Sequence, residues 1–181
     1  MRRALPKTAA RLNLSQRLEL DVSYASRSPW VPDPRLLAKW AAAALPPTAP
    51  GRTPTRAPSR TTTRAPGRAV LSVRIVGKMR SRSLNSRYRH KDRPTNVLSF
   101  AGAGSAPDGR RFLGELVICA PVVAGEARVQ RKSLEAHWAH MTVHGVLHLL
   151  GFDHERAREA AKMESREIQI LDRLGFSNPY R

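Results

Sequence analysis

The chain has 181 residues, enough for one domain with a real core. Its 32 Lys and Arg against 14 Asp and Glu give a formal net charge of +18, a balance that suits a polyanionic partner because neutralising phosphates releases counterions. No apolar run reaches spanning length, no segment joins a basic face to a strong apolar stripe, and the single cysteine, Cys119, excludes an internal disulfide and fits a reducing cytosol.

Residues 1–16 are basic and acid-free and are read as a flexible arm, with no secretory signal. Leu18 to Tyr24 alternates apolar and polar residues, which predicts a half-buried strand. Asp33-Pro34 supplies an N-cap followed by proline at the first helical position. Leu36, Leu37, Trp40, Ala44 and Leu45 then recur at helical spacing and face a core. Residues 46–68 differ in kind: they are rich in Pro, Thr, Ala and Arg, lack acids, and hold an imperfect repeat, Arg52 to Ser59 and then Arg60 to Gly67. Such a segment has little apolar surface to offset ordering entropy and is read as a disordered insertion.

Leu71 to Val76 predicts a second strand, Met79 to Tyr88 a short helix with Arg89 at its end, and Val97 to Phe100 and Leu116 to Cys119 two further strands. Cys119 lies in the apolar run Leu116 to Ala120 and is read as a small buried hydrophobe. Pro121 to Gln130, Ser133 to Leu150 and Arg156 to Leu174 read as helices, the last stopped by Gly175. The order is βαβαββααα. It predicts one α/β (α+β) domain over 17–181, a small mixed β-sheet covered by helices.

The helix Ser133 to Leu150 carries the densest chemistry. All but one of the 6 histidines lie between His137 and His154. His144 and His148 are four apart, on one helical face. Gly151 can adopt the left-handed conformation that ends a helix and swing His154 back toward them. Three imidazoles suit Zn²⁺ and leave one tetrahedral position open, the mark of a catalytic zincin-like site. His140, one turn before His144, could be a fourth ligand but is read first as a support, and Asp153 is read as orienting a ligand or capping the turn rather than as the base. The spacing H-x-x-x-H-x-x-G-x-x-H is also that of metzincin proteases. Those carry Glu after the first histidine as base, whereas Gly145 stands here. Asp153 or Glu115 would have to substitute, so a metalloprotease is the weaker alternative.

Residues 144–154, His-Gly-Val-Leu-His-Leu-Leu-Gly-Phe-Asp-His, resemble the hallmark of the YbeY endoribonuclease family. So does the block Leu84-Asn85-Ser86-Arg87-Tyr88-Arg89-His90-Lys91-Asp92-Arg93-Pro94-Thr95-Asn96-Val97-Leu98-Ser99-Phe100, followed by Leu113 to Cys119 and Glu135 to His140. The likeness runs from about Leu71 to Tyr180. It departs at Ala101, where many relatives have proline, at Glu115, where Asp is usual, and in a less acidic helix after His154.

The resemblance implies a single-strand-specific, zinc-dependent endoribonuclease acting in small-subunit rRNA 3′-end maturation and ribosome quality control in the cytoplasm. It implies one Zn²⁺ on His144, His148 and His154, and a functional role for Arg89. Ribosomal RNA, the small subunit and an assembly GTPase are the implied partners; neither a membrane nor DNA is expected. The guanidinium of Arg89 suits the scissile phosphate, the other reading being an ion pair with Asp92. Arg74, Lys78, Arg80, Arg82, Arg87, Lys91 and Arg93 extend a basic surface for single-stranded RNA. A ribosome-assembly factor with a purely structural metal is the non-catalytic alternative.

Overall fold

The computed structural model describes residues 9–15, 18–26, 30–46, 69–102, 110–153 and 156–181. Among them, five strands and five helices follow the chain as β1 (Ala9–Ser15), β2 (Leu18–Ala25), α1 (Pro34–Ala44), β3 (Ala69–Val76), α2 (Lys78–Arg89), β4 (Val97–Ala101), β5 (Arg111–Cys119), α3 (Ala120–Val129), α4 (Leu134–Leu149) and α5 (Ala157–Arg173). The α/β reading holds, and from Leu18 onward the element order is the one expected.

One strand is added at the start. Part of the segment read as a flexible arm, Ala9–Ser15, forms β1 and pairs antiparallel with β2. Its basic, acid-free composition hid a short run whose partner is the strand that follows almost at once. Residues 1–8, most of the 46–68 insertion and His154 lie outside the described residues.

The strands form one mixed sheet in the order β1-β2-β3-β5-β4. β2, β3 and β5 run parallel to one another, while β1 along β2 and β4 along β5 are antiparallel and make the two edges. The period-2 alternation of β5 sends successive side chains to opposite faces. Leu116 and Ile118 join the main core with Trp40, Trp138, Val143 and Leu147. Val117 and Cys119 face the other way, into a smaller cluster where Leu84 of α2 packs. Helix α4 therefore lies on one face and α2 on the other, with edge strand β4 between their ends.

The helix boundaries follow local chemistry. Asp33 caps α1 by accepting from the Arg35 amide at 2.7 Å, and Ser133 caps α4 by accepting from the Ala136 amide at 3.1 Å. α4 is buried nearly all round, from His137 to Leu149. It is the central helix, packed by α1, α3, α5 and the sheet. No helix among the described residues is long and apolar enough to cross a membrane.

Candidate metal centre

The floor of the site is set by Gly145. A Cβ built there would lie 2.8 Å from Leu116 Cδ2 and 3.3 Å from Val97 Cγ2. The glycine thus lets α4 seat closely on the sheet, and Ser99 of β4 donates to its carbonyl at 3.1 Å. The position where a metzincin holds its glutamate faces packed side chains. This opposes the protease reading on sterics as well as chemistry.

With that face against the sheet, His144 and His148 point elsewhere together. Their Nε2 atoms are 3.2 Å apart. Each ring is fixed from behind. His144 Nδ1 donates to Glu167 Oε1 at 2.8 Å, and His148 Nδ1 donates to the Phe152 carbonyl at 3.0 Å. With the Nδ1 protons held there, both rings turn their Nε2 lone pairs inward. Two nitrogens bound to one tetrahedral Zn²⁺ at its usual bond length would stand about 3.3 Å apart. The donor pair fits such an ion.

The turn after α4 builds the second half of the site. Gly151 takes φ 90°. Its amide donates to the His148 carbonyl and that of Phe152 to the Leu147 carbonyl, each at 3.0 Å, the pattern of a Schellman stop. This reversal places the Phe152 carbonyl behind His148 and brings Asp153 to the same cleft. His154 follows immediately, outside the described residues.

Arg89 reaches this cleft from the opposite face. A cleft of about 340 Å³ is lined by Arg89, Ser99, Ala101, His148, Gly151 and Asp153, among others. Arg89 ends α2, and His90 caps it in the left-handed conformation with φ 56°. Buried Ser81 and Asn85 then hold the returning loop: Ser81 Oγ donates to the Thr95 carbonyl at 2.8 Å, and Asn85 Nδ2 to that of Arg93 at 2.7 Å. Asp92 is taken by Arg82, whose Nε donates to Oδ1 at 2.7 Å. Among the described residues none forms an ion pair with exposed Arg89. Glu115, on β5, pairs with Arg74 at 2.6 Å and shares the face of Val117 and Cys119, away from the histidines.

Sequence reasoning missed Glu167. It is fully buried and accepts from His144 Nδ1, from His140 Nε2 at 3.0 Å, and from the Tyr180 hydroxyl. Burial alone would push its pKa up. The hydrogen bonds from His140, His144 and the Tyr180 hydroxyl outweigh it and hold the carboxyl at about 2. The signal was present: Met163, Glu167, Ile170 and Leu171 are the buried positions of α5, and an acid inside an apolar stripe needs a partner.

His140, His144 and Glu167 form a group compatible with a metal ion. Their separations of 2.8 and 3.0 Å are hydrogen-bond lengths. His144 offers Glu167 its Nδ1 and keeps Nε2 for the side shared with His148. The carboxylate–histidine pair is the usual support behind a histidine ligand. His137 is engaged separately, its Nε2 2.8 Å from Glu126.

A mixed sheet carrying paired histidines on its central helix, facing an arginine across a cleft, defines an α/β protein with a candidate hydrolytic metal centre. The model of the family described as Endoribonuclease YbeY matches residues 57–175. The chain belongs to this family of RNA-cutting hydrolases. Among solved structures, the solution structure of TM1509 from Thermotoga maritima aligns with a TM-score of 0.45 at 20% identity, covering 91% of this chain and 98% of that one.

Proposed function

We propose that this chain is a zinc-dependent endoribonuclease that cuts single-stranded ribosomal RNA during maturation of the small-subunit 3′ end and in ribosome quality control. The observation that carries the reading is the meeting of His144 and His148 Nε2 at 3.2 Å beside the cleft that Arg89 lines. His144, His148 and His154 hold the metal, with Glu167 and the Phe152 carbonyl orienting the first two. The ion, when bound, lowers the pKa of a water and polarises a phosphoryl oxygen.

The protein's own residues supply the rest. Arg89 grips the scissile phosphate with a bidentate fork and stabilises the charge that grows on it. Exposed Lys91 and Arg93, on the loop after α2, continue the basic track along the backbone. The first turn of α2 carries Lys78 and Arg80 and no acid. Cations there oppose the helix dipole, so they serve a polyanionic partner better than they serve the helix. An open cleft at a sheet edge admits an unpaired backbone more readily than a duplex. The small ribosomal subunit and an assembly GTPase are the proposed partners, in the cytoplasm.

The test is cleavage of a single-stranded rRNA fragment and its duplexed form, before and after chelation and with zinc restored. Cutting of the single strand alone, lost on chelation and recovered with zinc, is expected. Equal cutting of both forms, or indifference to chelation, rejects the proposal. Metal-tight protein that never cuts favours the assembly-factor reading.

A further inference from the structure

Helix α5 also ends in a Schellman stop. Gly175 takes φ 87°, its amide donates to the Asp172 carbonyl at 2.9 Å, and the Phe176 amide donates to that of Leu171 at 2.9 Å. The chain turns back along α4 and α5. Two polar contacts pin it there: Lys132 Nζ donates to the Pro179 carbonyl and the Tyr180 hydroxyl donates to Glu167 Oε2. Within the segment, the Tyr180 amide donates to Asn178 Oδ1 at 2.9 Å. The Tyr180 ring also meets that of His140 edge-on, with centroids 5.5 Å apart.

The Glu167 carboxylate is therefore divided. Oε1 receives His144, while Oε2 receives both His140 and Tyr180. Two donors on Oε2 fix the plane of the carboxylate and present Oε1 squarely to His144 Nδ1. That bond in turn holds the His144 ring with Nε2 toward His148. Nothing in the proposed chemistry asks for Tyr180, which lies beyond the last helix. Its hydroxyl is nonetheless two hydrogen bonds from a metal-ligand ring.

We propose that Glu167 is a positioning residue for the ligand His144, and that Tyr180 locks Glu167 in that role. The segment after α5 thereby sets how tightly the protein holds its metal. This inference rests on the reading that His144 and His148 bind the metal through Nε2.

Zinc affinity measured by competition with a chromophoric chelator tests it, beside thermal unfolding of the zinc-free proteins. Glu167→Gln keeps the shape but cannot accept on both arms, and is expected to weaken zinc about 10- to 100-fold. Tyr180→Phe removes one hydroxyl and is expected to weaken zinc about fivefold, the worth of one hydrogen bond, in a zinc-free protein that still folds, though with lower stability. A merely structural role would lower zinc-free stability and leave the affinity of the folded protein alone.

If Glu167→Gln fails to fold, Tyr180→Phe, altered on an exposed ring, carries the test by itself. Affinities within twofold of wild type in the folded variants overturn the positioning role. Weakening in Glu167→Gln alone overturns the part given to Tyr180. Failure of the wild-type chain to bind zinc overturns the metal reading beneath both.

Discussion

Gly145 and Leu116 meet so closely that a Cβ on the glycine would stand 2.8 Å from the leucine's Cδ2. Leu116 is fully buried, so it has little room to move. The residue that deprives this site of a protease-type base is also the one that seats α4 on the sheet. Restoring the base therefore breaks the floor. Gly145→Glu forces a carboxylate into packed apolar side chains and is expected to cost about 3 kcal/mol or more. Chemical denaturation of the variant measures this, and a variant as stable as wild type would show that α4 does not need the close approach.

Arg89 is expected to act on phosphate and not on fold. Arg89→Lys keeps a charge but loses the bidentate fork. Zinc content and unfolding should match wild type, while kcat falls about 100-fold or more. Normal turnover in the variant would remove Arg89 from the mechanism.

Acid should weaken the zinc-free protein through Glu167. Its folded pKa of about 2 lies below the ordinary value of 4.5. A depressed carboxyl contributes stability that is complete above the unfolded value and is lost as pH falls from about 4.5 through about 2. Unfolding free energies across that window should fall steeply in wild type and less steeply in Glu167→Gln. Parallel slopes would mean that the buried carboxylate is not the group being titrated.

Binding of single-stranded RNA should depend strongly on salt. Each phosphate contact on a single strand contributes a slope of about −0.7 in log K against log salt. Replacing Lys91 and Arg93 together by alanine should flatten the slope by about 1.4 if each meets one phosphate. An unchanged slope would place the RNA path elsewhere on the basic surface.

Most of the architecture was legible because its periodicities are strong. The alternation in Leu18 to Tyr24 and the helical spacing of Leu37, Trp40 and Ala44 returned as β2 and α1, with those three side chains buried. β1 was not legible, since a short run amid basic residues declares itself only by pairing with β2. The pairing of His144 with His148 is local geometry, one helical turn, and could be read directly. The bond from His144 to Glu167 joins residues 23 apart on different helices, and only the packing of α4 on α5 creates it. Gly145 was read for its missing chemistry. Its packing against Leu116 depends on which face of α4 meets the sheet, a tertiary fact.

The central claim is that His144 and His148 hold a metal that the protein uses to cut RNA. Cleavage of a single-stranded rRNA fragment by the purified protein, with His148→Ala prepared and assayed alongside, tests it most directly. Cutting by the wild type and none by the variant is the expected result. Equal cutting by both would assign the activity to a contaminating ribonuclease and contradict the claim.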